Sequence, residues 1–392
     1  MRIALIDTTK RRQHYPIGLL KLGAWIRDRG DECQLFSGEL PPAGAFDEIW
    51  LSTIFSFDMP RALGFATAAS ARADRVVLGG VAATLFPDYF TREGFEVHRG
   101  LVPEAENMAP AYDLLPERPS YAITHTTRGC PRDCDFCMVP RLEPRFVYRD
   151  RWPDDVPEDV EELRFYDNNV LAMPVKRFER LVRRVEEVVE ERGISIVDFN
   201  QGLDARLLTE RKADLLGRLP TPYLRFAFDG MQEDGHYQRA VRMMAERGVP
   251  EFRSFVLFNH TGTPEEFYYR IRESVELQVE LRAEGYKVRV KSYPMKFAPV
   301  EAPDLARDHV GYRWRRSDRD GVRLILRTSA AGSMYVAPAT LDEFEYWWGR
   351  DVDEFLKLLR FPKLRLLLDR RRGSRRIELA REREEGGEDV EG

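Results

Sequence analysis

YAITHTTRGCPRDCDFCMVP, residues 121–140, sets an apolar, β-branched run directly against a loop that carries Cys130, Cys134 and Cys137. The opening YAITHTT (121–127) predicts a strand. Beyond the loop the same kind of strand recurs, at ELRFYD (162–167), ISIVDFN (194–200), YLRFAFD (223–229), FRSFVLFN (252–259) and VRVKSYPM (288–295). Helical periodicity fills the gaps around 174–192, 209–218, 234–247 and 264–284. Such βα units with short connections predict a partial (β/α)6 barrel of the TIM type, because right-handed crossovers force successive parallel strands into one curving sheet.

Upstream, RIALID reads as a buried strand, PIGLLKLGAWIRDRG as an amphipathic helix closed by Gly30, and ECQLFSG as a second strand. EIWLSTIF (48–55), a helical stretch near 60–72 and RVVLGGVA (75–82) continue the alternation, which predicts a doubly wound, Rossmann-like domain. The proline-rich ENMAPAYDLLPERPS (106–120) suits a connector. Downstream of residue 300 the alternation stops, leaving a β-like run VRLILRTSA (322–330), a helical LDEFEYWWGRDVDEFLKLLR (341–360) and a charged tail from 380 expected to be disordered. The fold class is therefore α/β, divided into an N-terminal domain (1–105), a barrel (106–300) and a small C-terminal α+β segment (301–392).

With 392 residues and 43% hydrophobic content, the chain can bury more than one core. Its 61 Lys and Arg against 66 Asp and Glu leave a net charge of -5, which excludes a general polyanion binder. No run reaches the roughly 18–20 apolar residues that a membrane span needs, and MRIALIDTTKRRQ turns polar too early for a signal peptide. A cytoplasmic location without membrane association is expected. The chain has four cysteines; three lie within eight residues, a distribution that suits a metal site and not a disulfide framework. Cys33 stands alone as a core thiol.

The spacing of Cys130, Cys134 and Cys137 is C-x3-C-x2-C. A closed zinc site normally takes four ligands, and no second Cys or His pair completes one here. A cubane with one iron left open is satisfied by three thiolates, although iron–sulfur clusters are ordinarily held by four. A partial zinc site, or three incidental cysteines, is the alternative.

At this point the residues resemble the radical S-adenosylmethionine (SAM) superfamily, whose hallmark is this spacing after a strand. The resemblance covers 121 to about 300 by layout. It implies a 4Fe-4S cluster on Cys130, Cys134 and Cys137, an open iron chelated by the methionine moiety of SAM, and Phe136, the aromatic residue before the third cysteine, near the adenine. It also implies an active site at the C-terminal strand ends. There Tyr166, Asp167, Asn168 and Asn169 occupy the place that contacts the methionine amino group, although the family's usual Gly-Gly-Glu form is absent; an Asx turn starting the next loop is the alternative. Asn200, Gln201, Asp204 and Arg206 follow the third strand; Arg206 is suited to the cofactor carboxylate with Asp204 holding it, or both serve the start of the next helix. Asp229 and Asn259, after the fourth and fifth strands, suit ribose and adenine contacts. His125 and His260 stay outside the set.

An α/β domain ahead of such a core resembles the cobalamin-binding subgroup. Ser52-Thr53-Ile54 and Gly79-Gly80 match its later elements, but its Asp-x-His-x-x-Gly element is missing, because the first strand ends Asp7-Thr8-Thr9-Lys10. Cobalamin without a protein ligand and a degenerate scaffold both remain open. A methylthiotransferase would need three further cysteines in this domain, and it has one. The resemblance implies reductive cleavage of SAM to a 5'-deoxyadenosyl radical, an external one-electron reductant of flavodoxin or ferredoxin type, and a substrate the sequence does not reveal. The alternatives are cobalamin-dependent C-methylation, and a non-catalytic iron–sulfur redox or nucleic-acid-binding protein. The last rests on Arg313, Trp314, Arg315 and Arg316 and on the arginines at 370–372 and 375–376, which read first as solvated helix faces.

Overall fold

The computed structural model describes residues 1–9, 15–299, 308–329, 335–361 and 363–385. The chain divides into two compact units, one running to Gln201 and the other from Gly202 onward.

The first unit opens with strands β1 (Arg2–Asp7), β2 (Glu32–Ser37), β3 (Glu48–Ser52), β4 (Arg75–Gly79) and β5 (Glu96–Val97), all parallel in the order β2-β1-β3-β4-β5. Alternate residues of β1 serve the two faces, as period-two geometry requires. Ile3 and Leu5 pack with Leu19 and Ile26 of helix α1 (Ile17–Asp28), while Ala4 and Ile6 pack with Met59, Ala62 and Ala66 of helix α2 (Met59–Ala69). Burial on both faces explains why RIALID is continuously apolar. The strand order reverses beside β1, which creates a topological switch point at the C-terminal ends of β1 and β3.

The same unit continues with β6 (Tyr121–Thr124), β7 (Thr127–Arg128), β8 (Val147–Tyr148), β9 (Glu162–Phe165) and β10 (Ile196–Phe199). β6, β9 and β10 form a parallel sheet with β9 in the centre. Between β9 and β10 lies helix α3 (Val175–Arg192), which ends on Gly193 at φ 65, the left-handed cap that stops a helix. β7 and β8 form a short antiparallel ladder, Thr127 opposite Tyr148 and Arg128 opposite Val147.

In the second unit, β11 (Leu224–Ala227), β12 (Glu251–Phe258) and β13 (Arg289–Lys296) form a parallel sheet with β12 central. Helices α4 (Glu210–Leu216), α5 (His236–Ala245) and α6 (Pro264–Ala283) alternate with these strands. Helix α6 starts on a capping box in which Thr263 and Glu266 satisfy each other's backbone amides.

Two expectations for the C-terminal segment are corrected. The run at 322–330 is not β-like; its described residues belong to helix α7 (Arg316–Ser329). Asp318, Val322, Ile325 and Thr328 are buried, a helical spacing that the density of branched apolar residues conceals. The 341–360 stretch is broken into α8 (Leu341–Trp348) and α9 (Val352–Leu359) at Gly349, which sits at φ 93, where an added Cβ would lie 2.8 Å from the Phe355 nitrogen. A last helix, α10 (Leu364–Glu385), extends past residue 380, where disorder was expected; residues 386–392 lie outside the described residues. No helix among the described residues is long and apolar enough to cross a membrane.

Candidate cofactor site

The cysteine loop is built from its neck. The β7–β8 ladder brings residues 127–128 against 147–148, so the intervening chain, with all three cysteines, must leave and return at one place. Just inside the ladder, Glu143 accepts hydrogen bonds from the Gly129 backbone N–H at 2.7 Å, from Arg128 Nη1 at 2.9 Å and from Asn168 Nδ2 at 2.7 Å. Gly129 has φ 75, and a Cβ there would stand 2.3 Å from the Arg145 carbonyl oxygen, so only glycine fits. Within the loop the Cys137 N–H donates to the Cys134 carbonyl at 2.9 Å. The Cys130, Cys134 and Cys137 side chains are half-buried and outside any disulfide, and Phe136 beside them is half-buried too.

The end of β9 serves this loop. Asp167 is buried and faces the turn between β6 and β7: one carboxylate oxygen accepts from the N–H and hydroxyl groups of both Thr126 and Thr127, the hydroxyls at 2.6 Å. Burial pushes its pKa up, and those donors oppose the shift. Asn168 reaches Glu143, and Asn169 donates from Nδ2 to Cys130 Sγ at 3.5 Å. Tyr166 is half-buried and its N–H donates to the Thr124 carbonyl at 2.8 Å, while Gln201, past the end of β10, is exposed.

Behind the loop is a buried ionic network that the sequence did not disclose. Lys21 of α1 donates to the carbonyls of Glu106 and Met108, both at 3.0 Å, and to Asp155 at 3.2 Å. Asp155 also receives Arg149 through both carboxylate oxygens and the Thr124 hydroxyl at 2.7 Å. His125 Nε2 lies 3.5 Å from Glu106, yet burial, aided by Arg128, lowers its pKa to about 3, so the imidazole is neutral and the approach is not an ion pair. Burial raises the pKa of Glu106, but His125 and Arg128 outweigh it and hold the carboxyl below its usual range.

The second unit groups the other candidates. Asp204 accepts from its own helix-start N–H, that of Arg206 at 3.2 Å, and pairs with the Arg206 guanidinium at 2.7 Å; Arg206 also pairs with Glu233 at 2.8 Å. Asp229, beyond β11, accepts from the Leu257 N–H at 3.0 Å, and burial next to the Glu233 charge raises its pKa to about 7. Arg270 of α6, also unforeseen, ties the strand ends together by donating to the carbonyls of Phe228 at 2.6 Å and Leu257 at 2.8 Å. Asn259, at φ 66 and fully buried, spends its amide within the fold: it donates to the carbonyls of Phe297 and His309 and accepts from the Gly311 N–H. No short motif marks the links of Glu143 to Asn168, of Glu233 to Arg206 or of Arg270 to Phe228, since each joins residues distant in sequence.

Residues 124–277 match the family model of the radical SAM superfamily. The chain thus carries a radical SAM domain and is an enzyme of the radical SAM class. No curated protein matches it. Among solved structures it resembles the radical S-adenosylmethionine methyltransferase TsrM from Kitasatospora setae, solved with tryptophan substrate and the SAM analogue aza-SAM, at 15% identity and a TM-score of 0.51 over 71% of each chain. A second structure of that enzyme, with cobalamin and a [4Fe-4S] cluster, is similar at 15% identity and a TM-score of 0.53, covering 75% of this chain and 74% of the other. At that identity the likeness is one of fold.

The class works with a 4Fe-4S cluster and SAM, and the loop fits a cluster. It presents three reduced thiols beside an amide N–H already directed at the first sulfur. Among the described residues no three His, Cys, Asp or Glu side chains converge where a single metal ion would sit. Thiolates on a cubane bind separate irons and do not require that convergence.

Proposed function

We propose that Cys130, Cys134 and Cys137 hold a 4Fe-4S cluster at the mouth of a partial (β/α)6 barrel, and that the enzyme cleaves SAM reductively to act on a substrate by radical chemistry. The observation that carries this reading is the cysteine loop itself, three cysteines outside any disulfide behind a closed neck, inside the segment that matches the radical SAM superfamily. When bound, the cluster supplies the electron that splits SAM into methionine and a 5'-deoxyadenosyl radical.

The chain's own residues bind and orient. Phe136 lies beside the third cysteine and offers a ring to the adenine. Tyr166 and the carbonyls after β9 are assigned to the methionine amino group, with Asp167 holding the turn that precedes the loop. Gln201, Asp204 and Arg206 are assigned to the cofactor carboxylate, and Asp229 to a ribose hydroxyl, with Asn259 fixing the backbone around it. The division into 1–105, 106–300 and 301–392, a cytoplasmic location and a flavodoxin or ferredoxin type of reductant belong to the same proposal. The test is anaerobic reconstitution and reduction: the parent forms 5'-deoxyadenosine and Cys134→Ala forms none, whereas a fully active variant overturns the assignment.

A second reading, cobalamin-dependent methyl transfer, is favoured by the switch point of the N-terminal sheet. The Thr53 hydroxyl, fully buried after β3, has no hydrogen-bond partner, and Phe55 and Phe57 beyond it are 43% and 56% exposed and stack on each other at 5.0 Å. A buried polar group beside an uncovered apolar rim at a strand-end crevice suits a large ligand that offers both ring faces and hydrogen-bonding groups. The similar methyltransferase from Kitasatospora setae has been solved with cobalamin bound. A corrinoid absorbance that stays with the protein through gel filtration supports this reading, and its absence after exposure to hydroxocobalamin removes it.

A further inference from the structure

The proposal that follows rests on the cluster assignment above. The neck of the cysteine loop and the end of β9 are joined by two adjacent amides that face different partners. Asn168 is locked to Glu143, which at the same time grips Gly129 and Arg128. Asn169, next along the chain and 3% exposed, directs its Nδ2 to Cys130 Sγ at 3.5 Å. The amide therefore meets the sulfur with its own backbone fixed one residue away and with the cysteine's backbone fixed on the other side of Gly129. Neither end is free to drift.

We infer that Asn169 is a positioning residue that sets the reduction potential of the cluster, through an N–H···S hydrogen bond to the Cys130 thiolate held in place by the Asn168–Glu143 clamp. One-electron reduction adds negative charge that is shared with the thiolate sulfurs, while no bond or proton moves. A donor aimed at one sulfur stabilises the reduced form more than the oxidised one, so it raises the potential. The electron comes from an external one-electron donor, for which dithionite stands in the test. A single such bond is worth about a five-fold change in the ratio of reduced to oxidised cluster at a fixed potential. Because the residue is buried, its amide acts where water does not screen it.

The experiment compares reconstituted parent, Asn169→Leu and Asn169→Asp, with iron and sulfide counted and the reduced cluster measured by electron paramagnetic resonance in a dye-mediated titration. Asn169→Asp keeps the side-chain shape while removing the donor and adding a negative charge. The expected result is full iron content in Asn169→Asp, with a reduced-to-oxidised ratio at least five-fold below the parent's at the same potential; Asn169→Leu shows about five-fold. A loaded variant that titrates with the parent overturns the inference. Failure of the parent itself to take up a four-iron cluster overturns instead the assignment on which the inference rests.

Discussion

Replacing Gly129 by alanine tests whether the neck holds the cysteine loop closed, and Gly193 supplies the matched control. Both glycines sit in the left-handed region, at φ 75 and φ 65. A Cβ at Gly193 meets nothing within 4 Å, so Gly193→Ala costs only the conformational penalty, about 1 kcal/mol. A Cβ at Gly129 stands 2.3 Å from the Arg145 oxygen and 2.7 Å from its carbonyl carbon, both backbone atoms that cannot swing aside. The neck must open, and the Gly129 N–H then loses Glu143, a bond to a charged acceptor worth about 1.5–3 kcal/mol. Together the terms come to about 2.5–4 kcal/mol, or a rise of roughly 60- to 700-fold in the open population, since each 1.4 kcal/mol is a factor of ten. Trypsin cleavage after the exposed Arg141 reads that population when opening is fast relative to cutting. Gly129→Ala is expected to be cut about 100-fold faster than Gly193→Ala and to retain little iron after reconstitution. Equal cleavage rates and equal iron in the two variants would refute the reasoning.

Lys21→Met leaves the Glu106 and Met108 carbonyls without their shared donor, while Asp155 keeps Arg149. Urea unfolding should show a loss of about 2–4 kcal/mol, and a loss below about 1 kcal/mol counts against the network's role. Asp229 carries a pH signature. Its folded pKa, about 7, lies above the ordinary aspartate value, so between the two the native state holds a proton that the unfolded chain has released. Its contribution to stability is complete at acid pH, declines as pH rises towards 7 and stays low above it. Asn in its place removes that decline, so Asp229→Asn gains stability relative to the parent at pH 8 and not at pH 4; a constant difference across the range contradicts the shift.

The α/β alternation with parallel sheets was legible because each strand and helix carries its own period. VRLILRTSA misled because branched residues favour strands by propensity, while tertiary packing set the helical spacing Asp318, Val322, Ile325 and Thr328. The cysteines announced themselves by spacing. Asp167 did not, since its donors Thr126 and Thr127 stand about forty positions earlier and a carboxylate at a strand end looks the same whether it faces a ligand or a turn. Asn259 was hidden for a similar reason: its positive φ and its bonds to Phe297, His309 and Gly311 exist only once the chain has returned to it. Glu143 shows the limit most plainly, a lone acid whose importance lies in three partners that no local pattern links.

The hairpin formed by β7 and β8 also bears on how the enzyme matures. Its two strands lie close along the chain, and its closure uses backbone pairing, the Glu143 carboxylate and the Arg128–Glu106 ion pair, none of which involves a cysteine. In a zinc finger the metal ligands themselves close the fold, whereas here the groups that close the neck are distinct from the three thiols assigned to the cluster.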